Sequence, residues 1–342
     1  MKVGFDISQL AYKGGVVTYT KNLTEELSKI SELEMIFFYS SMRRPYRGAL
    51  KNVKRFHLPS TALEIIFNKF RKIPIEKFIG SVDIFHSSDW VQPKTNAKKV
   101  TTYHDVVPLK YPQWSHPKVV SVHKRRLELV EKEIDMVIAV SESTKKDLLE
   151  ISKIPEEKIT VIYEGVDEKF KPQDKEDIEN FRKKYNLPKE FILAIGGVGE
   201  RRNLTRIKEA VKSYNLVIAG ETIPWIPEEE LPLLYSASRI VLYPSLYEGF
   251  GLPILEAMAC GTPVITSNVS SMPEVGGPAN AGAVLYVNPE DEKEIERVVR
   301  EVMESKGIRE QMIKKGFLQA KKFAWEKCAK ETAKVYQEVL KK

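Results

Sequence analysis

Short apolar runs alternate along the chain with longer segments whose apolar residues recur at helical spacing. Val3, Phe5 and Ile7 alternate with polar or small residues and lead to Gly14 and Gly15. A helical pattern then covers 18–30, which predicts strand, glycine loop, helix. Runs at 35–39, 82–85, 99–103, 136–140 and 159–163 predict further strands. A helix is expected over 119–133, and Ser141 is placed to cap another in SESTKKDLLE. This alternation predicts a parallel α/β domain, whose sites gather at the carboxyl ends of strands. Residues 60–80 mix apolar positions with Lys and Arg. They read either as a core-packed helix with a basic outer face or as a surface for anionic lipid.

Residues 165–190 are polar and carry Pro172 and Pro188, so an inter-domain linker is expected there. A second α/β series follows, with strands predicted at 191–195, 216–219, 240–243 and 263–266. The turn Gly196-Gly197-Val198-Gly199 follows the first of them. Helices are predicted from about Leu204, over 228–236, and finally over 290–304 and 306–342.

The length of 342 residues suits two domains. With 42% hydrophobic and 30% charged residues, the composition is that of a soluble globular chain. The net charge of +7 fits an anionic ligand or an anionic membrane surface and requires neither. No zinc-finger spacing or RNP motif supports nucleic acid as a partner. Cys260 and Cys328 stand far apart, which offers neither a disulfide framework nor a metal cluster and fits a reducing compartment. The start, MKVGFDISQL, lacks a signal-peptide pattern, and no apolar run approaches the ~20 residues of a membrane span. A cytoplasmic location is expected, with peripheral contact at the inner face of a membrane left open.

The densest chemistry lies in YEGFGLPILEAMACGTPVI, residues 247–265. Glu248 and Glu256 are separated by seven residues. Between them, Gly249 and Gly251 let the backbone approach a ligand, and Pro253 suits the start of a helix. Free N–H groups and the helix dipole at such a start favour an anion. Carboxylates beside a phosphate cradle make sense as acceptors for sugar hydroxyls. The plainer reading is a loop acid and a helix-start acid, with Glu256 expected in the first turn.

Glu200-Arg201-Arg202-Asn203 follows a strand and glycine turn, where two cations would clamp a diphosphate or merely open a solvated helix. Gly197-Val198-Gly199 is a partial dinucleotide fingerprint, with Arg202 where the third glycine would stand. His104-Asp105 ends a strand and is either a ligand contact or a structural pair. Gly14-Gly15 is either a phosphate-facing loop or a tight turn, and His86 and Asp89 are weaker candidates. No HExxH, P-loop, G-x-S-x-G or D-x-D motif is present, so neither a metal nor a serine nucleophile is expected.

Together these pieces resemble the retaining glycosyltransferases of family 4. The resemblance covers nearly the whole chain: Gly14-Gly15, Phe85-His86-Ser87, Tyr103-His104-Asp105, VIAVSESTKKDLLE, KITVIYEGVD, Arg201-Arg202-Asn203, the E-x7-E pair, EAMACGTPV, SSMPEV and the closing FAWEKCAKETAKVYQEVL. It implies the GT-B fold, with two Rossmann-like parallel α/β domains facing across a cleft and a C-terminal helix crossing back to the first. The implied domains are 1–168 on the acceptor side, 169–322 for the nucleotide sugar, and the returning helix 323–342. The resemblance assigns catalytic roles to Glu248, His104 and Arg202. It assigns donor binding to Gly14, Gly15, Arg201, Arg202, Gly249, Phe250, Gly251, Leu252 and Glu256. In that scheme Glu248 meets donor hexose hydroxyls and Glu256 the ribose. Arg202 and the backbone of Gly15 stabilise the diphosphate, and His104 sits near the transferred sugar and the acceptor.

In the matching stretch KITVIYEGVD an Asn more commonly stands in place of Glu164. The chain departs from the family in three places. The helix between Asn203 and the strand at 216–219 is abbreviated. Gly197 stands where an Arg is common, which leans the donor toward mannose. Between Gly220 and Glu228 only ETIPWIP remains where a helix and a strand are usual, which leaves the nucleotide base undetermined and Trp225 as a partial cover for the gap.

The expected function is retaining, metal-independent transfer of mannose or glucose from GDP-mannose or UDP-glucose to a glycan or lipid-linked saccharide, without a cofactor. The alternatives are a nucleotide-sugar-binding scaffold without turnover and a GT-B-type sugar-nucleotide epimerase.

Overall fold

The computed structural model describes residues 1–12, 14–195 and 199–341. The chain forms two compact units, Met1–Glu164 with Trp325–Lys342, and Gly165–Ala324.

In the first unit the described residues build a seven-stranded sheet. Its strands are β1 (Lys2–Asp6), β2 (Glu34–Ser40), β3 (Val53–Phe56), β4 (Ile84–Ser87), β5 (Lys98–Tyr103), β6 (Met136–Ala139) and β7 (Ile159–Val161), in the order β3-β2-β1-β4-β5-β6-β7. Every neighbouring pair is parallel. Such a sheet is covered on both faces, so β4 and β6 are buried at every position. Strand β3 was not expected. It is an edge strand with Lys54 and Arg55 exposed, so it lacks the apolar run that marks the others. The helix Pro117–Glu133 starts on a proline, and the His116 side chain accepts the Lys118 N–H at 3.2 Å. Ser141 Oγ accepts the Thr144 N–H at 3.0 Å, capping Glu142–Ile151.

The expected single helix over 60–80 is broken. An α-turn at Ser60–Glu64 widens into a π-helical segment, Ile65–Phe70, and ends at Arg71, whose φ of 50° is left-handed. A short helix at Glu76–Ile79 resumes the pattern. The reason is packing: Leu63, Phe67, Ile75 and Ile79 all enter one core with Ile36, Phe38 and Phe85. One straight helix would not aim all four inward. Arg71 is then held by Glu133 at 2.6 Å.

In the second unit the strands are β8 (Ile192–Ala194), β9 (Leu216–Ile218), β10 (Ile240–Tyr243), β11 (Val264–Ser267) and β12 (Leu285–Val287). Their order is β12-β11-β10-β8-β9, all parallel. The chain leaves β8 toward one side and then returns to the other, so a topological switch point lies between β8 and β10. Strand β12 was missed because LYV is too short to signal itself. The core joins Ile192, Ile218, Ile240 and Ile265 to Ile207, Val298 and Val299 of the covering helices.

Two expected boundaries are corrected. The segment read as a linker contains the helix Lys175–Lys184, with Glu176 and Asp177 in its first turn and Arg182, Lys183 and Lys184 in its last. Charges in those places suit the helix dipole. Its single buried anchor, Phe181, explains why it read as a solvated connection. The run 306–342 is two helices, Lys306–Ala320 and Trp325–Lys341. At the break, the Val166 N–H donates to the Phe323 carbonyl at 3.3 Å. The last helix belongs to the first unit, where it packs on Gly15–Leu27 and β5.

Candidate active site

In the second unit, a turn after β8 and a loop after β10 converge on one acid. Glu200–Arg202 forms a tight 3-10 turn, and Asn203 closes it in the left-handed region at φ 61°. The buried Asn203 amide donates to the carbonyls of Pro244 at 3.0 Å and Pro289 at 2.6 Å. The Leu246 N–H donates to the Arg201 carbonyl at 2.8 Å. The two arginines are therefore carried on a turn locked to the loop after β10. Arg202 Nη1 donates to Glu248 Oε1 and to the Tyr243 hydroxyl, and Arg201 Nη1 lies 3.4 Å from Glu248 Oε2. Burial pushes the Tyr243 hydroxyl up from its ordinary value. Glu248 is itself 6% exposed, so the carboxylate is enclosed against two guanidiniums.

The loop that carries Glu248 is pinned from behind. Ser271 Oγ donates to the Glu248 carbonyl at 2.9 Å and the Phe250 carbonyl at 2.7 Å, and Ser270 Oγ accepts the Glu248 N–H at 3.1 Å. Gly251 has φ 112° and N-caps the helix Leu252–Ala259. That conformation favours glycine. Phe250 is buried and meets the Phe323 ring at 5.9 Å. The helix therefore starts at Leu252 behind Gly251, with Gly249 and Phe250 in the loop before it.

Glu256 does not lie in the first helical turn; no acid does. From the next turn its Oε2 accepts the Tyr235 hydroxyl at 2.6 Å. Burial pushes its carboxyl up to about 7, against the opposing effect of that hydrogen bond. Sequence reading missed Tyr235, Tyr243 and the support role of Ser270 and Ser271. The serines stand in the SSMPEV stretch, but nothing in their spacing reveals which carbonyls they hold. The glycine turn at Gly196, Gly197 and Val198 lies outside the described residues.

A cavity of ≈ 680 Å³ opens at the carboxyl ends of β8 and β9. Its walls include Glu200, Asn203, Ala219, Gly220, Trp225 and Leu246.

The other expected residues lie in the first unit. Gly14, at φ 118°, N-caps the helix Gly15–Leu27, and both glycines are exposed. His104 follows β5. Its Nδ1 is 3.4 Å from Glu164 Oε1, and its ring meets Tyr19 edge-on at 4.5 Å. Burial raises the Glu164 carboxyl above the usual range. The Tyr19 hydroxyl is 2.9 Å from Thr102 Oγ1. His86 is a structural residue: its ring nitrogens meet the Tyr336 hydroxyl at 2.7 Å and Thr102 Oγ1 at 2.9 Å. Burial lowers its pKa to about 3 and keeps it neutral. A groove of ≈ 520 Å³ in the same unit is lined by Tyr12, Glu64, Asp89, Trp90, His116 and His123, among others.

Among the described residues, no group of three or more His, Cys, Asp or Glu is placed to hold a metal ion. Among the same residues, no helix is long and apolar enough to cross a membrane.

Comparison with known proteins adds the family. The O-antigen chain mannosyltransferase B of Escherichia coli is 29% identical over 292 residues, covering 74% of each chain. The serotype-specific mannosyltransferase WbdA of Escherichia coli is 28% identical over 67% of this chain, which spans only 32% of that protein. Among solved structures, sucrose-phosphate synthase from Thermosynechococcus elongatus superposes with a TM-score of 0.79 at 20% identity, over 99% of this chain and 98% of that one. That likeness establishes a shared GT-B fold. The family Glycosyltransferase Family 4 matches residues 13–170, and Glycosyl transferases group 1 matches residues 144–319. With two parallel α/β units and more than half its length matched by the latter family, the chain belongs to the group 1 glycosyl transferases and is a glycosyltransferase.

Proposed function

We propose that the chain transfers a hexose, mannose in first place and glucose in second, from a nucleoside diphosphate sugar to a glycan or lipid-linked saccharide. The observation that carries this reading is the enclosed cluster of Glu248, Arg201 and Arg202 beside the helix start at Gly251. A diphosphate needs positive charge and free N–H groups, and a hexose needs a rigid acceptor of hydroxyl protons. Both chemistries meet in this loop. The names of the two Escherichia coli relatives support mannose.

Transfer proceeds with retention and without a metal in this reading. The acceptor oxygen bonds to the anomeric carbon as the bond from that carbon to the phosphate oxygen breaks. The acceptor proton passes to the departing diphosphate. Arg201 and Arg202 stabilise the charge that collects on the leaving group, as preorganised cations do. Glu248, already engaged by both guanidiniums, holds sugar hydroxyls and is no glycosidase-type acid. His104, Gly14 and Gly15 are assigned to the transferred sugar and the diphosphate, and Glu256 to the ribose. The aromatic and carboxylate groups around Tyr12 and Trp90 suit a saccharide acceptor. The exposed Ile65, Phe70 and Ile73 beside Lys69 and Lys72 suit the headgroup region of an anionic bilayer.

The test is titration of GDP-mannose and UDP-glucose, followed by transfer of labelled hexose to a lipid-linked oligosaccharide. Binding of one donor, with turnover only when acceptor is present, supports the reading. Conversion of donor without acceptor points to an epimerase. Binding without turnover under any acceptor leaves a scaffold.

A further inference from the structure

The cavity at the carboxyl ends of β8 and β9 has one wall that the sheet does not explain. Strand β9 is the edge of its sheet, and the chain beyond it makes only a tight turn. The Thr222 N–H donates to the Ile218 carbonyl at 2.9 Å, and the Gly220 N–H to the Ile223 carbonyl at 2.8 Å. The chain then runs Pro224-Trp225-Ile226-Pro227. Ile226 is buried at 9% exposure, whereas Trp225 is 64% exposed and lines the cavity. An indole left in water forgoes a large burial gain.

This indole is nevertheless held. A proline on either side of the Trp225-Ile226 pair restricts the backbone. Its ring lies over Gly220 so closely that a Cβ there would be 2.4 Å from Trp225 Cε2. Gly220 has φ 85°, so two constraints at one position favour glycine and keep the plate in place. The same cavity is lined by Glu200 and Asn203, the two ends of the turn that carries Arg201 and Arg202 toward Glu248.

The geometry points to Trp225 as the stacking surface for the nucleobase of a nucleoside diphosphate bound in this cavity. A planar, apolar-faced base is the ligand part that an exposed, prepositioned indole recognises. The diphosphate on the same molecule is the part that Arg201 and Arg202 recognise. The indole thereby supplies at the edge of a five-stranded sheet a wall that no further strand provides. This assignment rests on the donor reading above.

The test uses the whole chain and four probes: GDP, UDP, ADP and inorganic pyrophosphate, titrated by calorimetry and by tryptophan fluorescence. Trp225→Ala is expected to weaken the bound nucleoside diphosphates by about 5- to 100-fold, the usual range for removing one base–aromatic stack. Pyrophosphate, which has no base, should bind the variant as it binds the wild type. Trp225→Phe should recover most of the affinity, and Gly220→Ala, which displaces the ring, should imitate Trp225→Ala. Fluorescence quenching by nucleotide should disappear in Trp225→Phe. Equal affinity of wild type and Trp225→Ala for every nucleotide would overturn the assignment and leave the donor reading standing. An equal loss for pyrophosphate would overturn it too, because the ring would then be acting on the phosphate site. A wild type that binds none of the nucleotides would sink both readings together.

Discussion

The Tyr235 hydroxyl donates to Glu256 Oε2 at 2.6 Å, inside a site where burial has lifted that carboxyl from its ordinary 4.5 to about 7. The folded protein therefore holds this proton more tightly than the unfolded chain does. The resulting stability is fully present below the unfolded pKa and is lost as pH rises through about 7. Thermal melts from about pH 5 to pH 8 should show a decline that Glu256→Gln removes, since the amide still accepts from Tyr235 and never ionises. A wild type and variant with parallel pH profiles would refute the raised carboxyl.

Glu248→Ala should preserve the fold and lower turnover by about 10²- to 10³-fold, the scale seen when one preorganised polar contact to the reacting centre is removed. The same change removes the carboxylate that competes with a diphosphate for Arg201 and Arg202. Free nucleoside diphosphate should then bind as well as before or better. Parallel assays of turnover and of product binding separate the two effects, and unchanged turnover would remove Glu248 from the site.

Ser271→Ala deprives the Glu248 and Phe250 carbonyls of a buried donor. An unmet polar group in such a place costs about 1–3 kcal/mol. Urea titration should show that loss of stability, with a fall in turnover as the Glu248 loop loosens. Ser271→Thr keeps the hydroxyl and tests whether the bond or the small side chain matters.

Glu164 lies 3.4 Å from His104, and burial raises its carboxyl. Its charged form is therefore costly in the folded state, and that cost grows as pH rises through its raised value. Glu164→Asn, the residue more usual in the resembling family, should raise the melting temperature more at about pH 8 than at about pH 5. Equal shifts at both pH values would mean that the carboxyl titrates alike in the folded and unfolded chain, and would refute the raised value.

The pattern of strands and helices was readable because each strand buried on both faces is a short apolar run, as in MVIA and IVLY. What escaped were elements with one or no apolar face: β3, carrying Lys54 and Arg55, and the helix anchored by Phe181 alone. The break at 321–324 escaped for a different reason. Apolar spacing runs through it, and only the pairing of Val166 with Phe323 marks the boundary. In the site, the motif residues themselves were legible, because glycine, proline and paired acids announce a loop before a helix. Their supports were not. Asn203 reaches Pro289 across 86 positions of sequence, and Ser271 reaches Glu248 across 23. Spacing along a chain carries no record of such partners. The position of Glu256 failed by one turn because the helix begins at Leu252, which leaves the acid in the next turn within reach of Tyr235.

The second unit is one uninterrupted stretch of chain, whereas the first is closed by residues 325–341, which pack on Gly15–Leu27 and bring Tyr336 to His86. During synthesis, the face of Gly15–Leu27 that meets Trp325 through Tyr19 waits until the intervening residues up to Trp325 have been made. At about 5–20 residues per second this is a delay on the order of tens of seconds. Limited proteolysis of stalled nascent chains should cut readily near residues 15–27 until the last helix has emerged. The second unit is thus complete on the ribosome before the helix that seals the first has emerged.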